Sequence, residues 1–209
     1  LQPWRAGPEG LTLTADRVPP HLRPLLGYSP AQKTAQNAQW AGSGDELPDL
    51  GAYDYYSGRL ATHRSFSQLY GYFEADMKLP AGQGLWPAFW LLPADMSWPP
   101  EIDVVEVLGH EPAVIYHTCH SAVEPKAGGV TRGVNSADGF HTYGVLWGPE
   151  ETVFYVDRVE RHRQRTLKDH HKPMYMILNL AVGGGWPGDP DASTRFPAEM
   201  KVRSVKAWQ

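Results

Sequence analysis

The sequence predicts an all-β domain, a sandwich of antiparallel sheets. Three observations carry this. From Arg59 onward, short apolar stretches alternate with turn signals and none keeps a helical period. The 209 residues include 21 glycines and 19 prolines, dense punctuation for many short strands. The hydrophobic share of 42% can bury a sizeable core, and the length suits one sandwich domain over residues 1–209.

Taken in chain order, Leu11-Thr12-Leu13-Thr14 alternates like a half-buried strand. Residues 19–50 are rich in Pro, Ala, Gln and Gly and show no period; they read as a long surface loop near one wall of a cleft. Leu85 to Leu92 is the most apolar segment, with Pro87 and Pro93 bounding its core. Val114 to Cys119 reads as a strand, and the lone Cys119 as a buried small hydrophobe. Asp138-Gly139, Gly148-Pro149 and Gly183-Gly184-Gly185 mark turns. A weak helical signal surrounds Asp169 to His171, and Met200 to Trp208 alternates apolar and basic residues like a closing strand.

Several functions are excluded. A net charge of −4 and a pI of about 6.1 lack the basic stripe of a nucleic-acid binder. No stretch reaches the roughly 18 apolar residues of a membrane span. The glycine run at Gly183 has neither the lysine nor the spacing of a nucleotide site. One cysteine allows no internal disulfide. The chain begins at Leu1 without a visible signal peptide, so a removed export signal and a secreted or periplasmic location are expected; intact mass of the native protein would test that. A monomer is expected.

The densest chemical feature is Glu101-Ile102-Asp103-Val104-Val105-Glu106. Val-Val signals a strand, and a strand sends alternate side chains to opposite faces. Glu101 and Asp103 therefore share a face, and Glu106 has the wrong parity. One extra residue at Val104-Val105, a β-bulge, would bring all three acids to one side. Without it Glu106 would point into the core, where an unpaired charge is costly. Two carboxyl groups flanking a scissile bond are the usual equipment of glycoside hydrolysis. A straight strand would hold the Glu101 and Glu106 Cα atoms roughly 13 Å apart at about 3.3 Å per residue, so twist, bulge and long side chains must close the gap. An acidic site for a hard cation and a solvated strand face remain alternatives at this point.

The flanking residues extend the pattern. Tyr70-Gly71-Tyr72-Phe73-Glu74 and Gly82-Gln83-Gly84-Leu85-Trp86-Pro87-Ala88-Phe89-Trp90-Leu91-Leu92-Pro93 precede the acids, and Trp98-Pro99-Pro100 leads into them. His141 to Trp147, Tyr155-Val156-Asp157 and Leu178-Asn179-Leu180 through Trp186-Pro187-Gly188 follow. This series resembles glycoside hydrolase family 16, which includes laminarinases, lichenases, agarases and carrageenases. The resemblance runs from about Leu11 to the C-terminus, and the acids have the longer, bulged spacing of laminarinase-like members. Tyr56-Ser57-Gly58-Arg59-Leu60 and Ser65-Phe66-Ser67-Gln68 make it most similar to bacterial exopolysaccharide glycanases of the succinoglycan type.

The resemblance implies a two-sheet β-jelly roll with an open cleft. Glu101 would be the nucleophile, Asp103 its partner and Glu106 the general acid/base of a retaining endo-β-glycanase acting on β-1,3/1,4-type linkages. It implies no organic cofactor, and a structural Ca2+ away from the cleft as in many relatives. A transglycosylase would share every catalytic residue, and a carbohydrate-binding module on this fold would lack the acids.

Sugar rings present apolar C–H faces that indoles cover well, and the chain has eight tryptophans. Trp90, Trp98 and Trp186 are the candidate platforms, while Trp86 and Trp147 read as core. Asn179 is a candidate for bonding sugar hydroxyls, and Arg59 for bonding substrate or an acidic substituent. His117 and His120 point to opposite faces and make a poor metal pair. By resemblance His120 lines the cleft near the acid/base Glu106. His110, His170 and His171 read as solvated loop residues.

Overall fold

The computed structural model describes residues 1–23 and 53–209. Among these the strands are, in order, β1 (Trp4–Gly7), β2 (Gly10–Arg17), β3 (Tyr55–Tyr56), β4 (Arg59–Ala61), β5 (Gly71–Lys78), β6 (Leu85–Pro93) and β7 (Glu101–Glu106), then β8 (Val114–His120), β9 (Ala127–Arg132), β10 (His141–Trp147), β11 (Glu151–Val156), β12 (Val159–Arg165), β13 (Met174–Val182) and β14 (Ala198–Trp208). They form two antiparallel sheets. One has the order β1-β2-β14-β5-β10-β11-β12, with β3 pairing β2; the other has the order β4-β13-β6-β7-β8-β9. The predicted sandwich is thus the observed architecture.

The core lies between the sheets and follows strand alternation. Leu85, Phe89 and Leu91 of β6 point inward with Met176, Leu178 and Leu180 of β13. Phe73, Ala75 and Met77 of β5 and Tyr143, Val145 and Trp147 of β10 meet them from the other sheet. Trp147 is fully buried as expected, and its indole N–H donates to the His170 carbonyl at 3.1 Å. Each large apolar side chain removed from water contributes about 1.5–3 kcal/mol. The Leu85–Leu92 run reads apolar throughout because β6 is central: its inward face is core and its outward face carries Trp86, Ala88 and Trp90.

Two local expectations change. Residues around Asp169 form a turn, not a helix, because the chain has only a short link between β12 and β13 there. In β14 the alternation of the tail breaks: its register against β5 shifts between Val202 and Ser204, so the inward positions are Met200 and Val202, then Val205 and Ala207. A bulge accounts for the odd spacing. The expected 19–50 loop lies largely outside the described residues; Pro20–Leu22 within it forms a short 3-10 turn.

Candidate active site

Strand β7 sits in the middle of the six-stranded sheet, and its pairing shows the bulge directly. Against β6, Asp103 faces Trp90 and Val105 faces Phe89, which leaves Val104 without a counterpart. Against β8, Asp103 faces Thr118 and Glu106 faces Tyr116. Ile102, Val104 and Val105 are buried in the core, and Glu101, Asp103 and Glu106 all turn to the outward face. They line a cavity of about 160 Å3 together with Trp86, Ala88, Trp90, Asn179 and Ala181. The two alanines keep its floor low. Directly opposed residues share a sheet face, so one row crosses the whole sheet: Arg59, Asn179, Ala88, Glu106, Tyr116, Val130.

Crowding three carboxyl groups separates their properties. Burial, followed by the charges of Glu101 and Glu106, pushes Asp103 well above the usual carboxyl range, and hydrogen bonding with Glu101 acts the same way. Glu106 is pushed up to about 7, chiefly by burial; the Trp86 N–H pulls it down, Glu101 pushes it up and Lys126 pulls it down. Near neutral pH Glu106 is therefore poised to give or take a proton. Asp103 Oδ2 is buried without a well-aligned hydrogen-bond partner.

Each glutamate is held by a tryptophan. Trp98 Nε1 donates to Glu101 Oε2 at 2.9 Å, and Trp86 Nε1 donates to Glu106 Oε1 at 3.1 Å. Trp98 remains 66% exposed, a free indole face beside the nucleophile candidate. Its loop is pinned by Asp95, which accepts from Ser97 and from Lys172 Nζ at 2.8 Å. Trp86 was expected in the core. It is half-buried on the cleft face instead, because Trp86, Ala88 and Trp90 share strand parity, and that parity was readable from the sequence. Trp186 stands edge-on to Trp86 and Tyr116, with ring centroids 5.2 and 5.0 Å away, forming a cleft wall. Gly183, at φ +75°, starts the turn that carries it, and Gln83 Nε2 ties that turn by donating to the Pro187 carbonyl at 2.9 Å.

Trp90 is less open than a platform. Its N–H donates to Asn179 Oδ1 at 2.7 Å, and the Arg59 guanidinium lies 5.6 Å from its ring centroid. The three candidates thus form one cluster that runs from Trp90, directly opposite Asp103 on the neighbouring strand, through Asn179 two strands away to Arg59 three strands away. His120 is in the cleft but not beside Glu106. The register sets it opposite Glu101, with Nε2 3.2 Å from Asp103 Oδ2 and 3.7 Å from Glu101 Oε1. Tyr116 occupies the place opposite Glu106. His117 does point away from His120, into the core. His110 and His171 are exposed as expected, whereas His170 is fully buried and its Nε2 donates to the Glu101 carbonyl at 3.1 Å. No periodicity marks that loop, so sequence reasoning had no signal for His170. Cys119 is buried, and burial raises its thiol far above the reactive range.

With this geometry in place, the comparisons with known proteins decide the family. The model for "Glycosyl hydrolases family 16" matches residues 11–204. The chain belongs to this family. Two relatives from Rhizobium meliloti are endo-1,3-1,4-beta-glycanases. ExsH is 49% identical over 162 residues, covering 77% of this chain and 35% of the relative. EglC is 42% identical over 216 residues, covering 98% and 46%. The chain thus spans less than half the length of either. Among solved structures, the laminarinase catalytic domain of Thermotoga maritima superposes with a TM-score of 0.79 at 29% identity, covering 99% of this chain and 80% of that one. The jelly-roll fold is therefore the family 16 fold.

A cation fits this family 16 cleft poorly. Among the described residues, Glu101, Asp103 and His120 form a group whose ligand atoms lie within 4.8 Å of one another. Ca2+ wants six to eight oxygen ligands, whereas this set offers an imidazole nitrogen and an aspartate that burial favours in its neutral form. The larger cavity of about 890 Å3 beside the β1–β2 hairpin has one carboxylate, Glu9, against three cations, Arg5, Lys201 and Arg203, too few oxygen ligands for a hard cation.

Proposed function

We propose that this domain is a retaining endo-β-glycanase that cleaves internal β-1,3/1,4-type linkages of a β-glucan or bacterial exopolysaccharide. The observation that carries this reading is the pair Glu101 and Glu106 on one face of a bulged strand, with Glu106 raised to about 7. In the first step the Glu101 carboxylate bonds to the anomeric carbon as the glycosidic C–O bond breaks, and the Glu106 proton goes to the leaving oxygen. In the second step Glu106, now a carboxylate, takes a proton from water; the water oxygen bonds to the anomeric carbon, and the glycosyl ester to Glu101 breaks. The indole N–H of Trp98 and the Asp103 carboxyl orient Glu101 for both steps.

The open row across six strands, roughly 24 Å at about 4.8 Å per strand, supports an internal cut: a polymer can lie across it with both ends free. No organic cofactor enters either step. A structural Ca2+, if bound, would take its ligands outside the cleft trio. Among the described residues no helix is long and apolar enough to cross a membrane. A polymeric substrate supports action outside the cytoplasm.

A panel of laminarin, mixed-linkage β-glucan, agarose, carrageenan and several bacterial exopolysaccharides tests the reading, with Glu101→Gln as the blank. A rapid viscosity drop with oligosaccharide release on one polymer is expected. Wild-type-like release by Glu101→Gln, or binding without release on every polymer, would overturn it.

A further inference from the structure

The bulge that turns Glu106 to the cleft is itself held from the core side. Val104 and Val105 of β7 together oppose a single residue of β8, His117. A bulge takes backbone groups out of the ladder, and a buried carbonyl needs a donor from elsewhere. The side chain of His117, 1% exposed, supplies one: Nδ1 lies 2.8 Å from the Val104 carbonyl oxygen. A carbonyl only accepts, so Nδ1 carries the ring proton. Nε2 is then the acceptor, and Thr131 Oγ1, 2.9 Å away on β9, donates to it. Phe154 covers the ring at a centroid distance of 5.0 Å. Burial holds the imidazole neutral, with its pKa lowered to about 4. Both ring nitrogens are satisfied, and neither touches the cleft.

We infer that His117 is a positioning residue for the acid/base: it fixes the Val104 carbonyl in the bulged conformation and thereby directs Glu106, and not Val105, to the cleft face. A one-residue slip in a strand exchanges its two faces. Glu101 and Asp103 precede the bulge and pair with His120 and Thr118 in the register that holds before it. Loss of His117 should therefore disable Glu106 and spare the nucleophile. The inference rests on the proposed role of Glu106.

The test compares kcat/KM on two substrates: the polysaccharide, whose leaving group needs a proton, and a dinitrophenyl glycoside of the released oligosaccharide, whose leaving group does not. His117→Leu removes the donor, and His117→Asn places an amide N–H near the Nδ1 position. For His117→Leu we expect a loss of about 10²-fold or more on the polysaccharide, at the lower end of a general-acid contribution, and little loss on the aryl substrate. His117→Asn should recover most of it. Equal losses on both substrates, or none, would overturn the inference. If His117→Leu does not fold, Thr131→Val, which removes the hydroxyl that holds the far side of the ring, should show the same selective loss at smaller amplitude. Glu106→Gln run alongside separates the two levels. Should it lose equally on both substrates, the acid/base assignment fails; should it alone be selective, only the role of His117 fails.

Discussion

Replacing Glu106 with Gln should stabilise the protein at alkaline pH while it removes activity. The carboxyl is raised from 4.5 to about 7 in the fold, mainly by burial. A raised acid means that the folded state holds the proton more tightly than the unfolded chain. Between pH 4.5 and about 7 the unfolded state therefore binds fewer protons, and wild-type stability falls as pH rises through that window. Below it both states are protonated and nothing is lost. Above it the penalty is complete, on the order of 3 kcal/mol at 1.36 kcal/mol per pH unit. Gln keeps an acceptor for the Trp86 N–H and cannot ionise. Thermal unfolding of both proteins from pH 4 to pH 9 should show a gap that opens above pH 4.5 and levels off past pH 7. For a domain this size it should reach roughly 6–12 °C at about 2–4 °C per kcal/mol. Asp103 titrates in both proteins, but the Glu106 charge raises it in the wild type alone, which widens the gap in the same direction. A gap that stays constant with pH, or one that favours the wild type at pH 8, would refute the burial argument.

Three further outcomes follow from the same geometry. Trp86→Phe removes the N–H that holds the Glu106 pKa down, so the alkaline limb of kcat/KM should move to higher pH; a limb that moves lower or stays fixed contradicts that hydrogen bond. Trp98→Phe keeps an apolar ring but loses the donor to Glu101, and kcat/KM should fall about 10- to 100-fold, as expected for a hydrogen bond to a charged group worth about 1.5–3 kcal/mol. Its melting temperature should hardly change, since Trp98 is largely exposed. Asn179→Ala leaves the half-buried Trp90 N–H without its protein partner and should lower stability by about 0.5–1.5 kcal/mol in urea unfolding.

Much of this protein was legible in the chain itself. Strand parity placed Glu101 and Asp103 together, required a bulge for Glu106 and sent His117 and His120 to opposite faces, because alternation is a local property of the backbone. The same rule, applied to β6, would have moved Trp86 from the core to the cleft. What depended on pairing register could not be read. His120 lies against Glu101 and Asp103 rather than Glu106 because β8 runs antiparallel to β7 with the bulge between them. The Trp90–Asn179–Arg59 cluster joins residues from β6, β13 and β4 that only sheet order brings side by side. His170 reaches the Glu101 carbonyl from a loop 69 positions away. The sequence by itself determined the fold class and the identity of the acids, since both follow from local pattern and residue chemistry. The tertiary structure decided which neighbour supports which acid, and hence their proton affinities, because burial and Coulomb interaction depend on distances through space that no local pattern encodes.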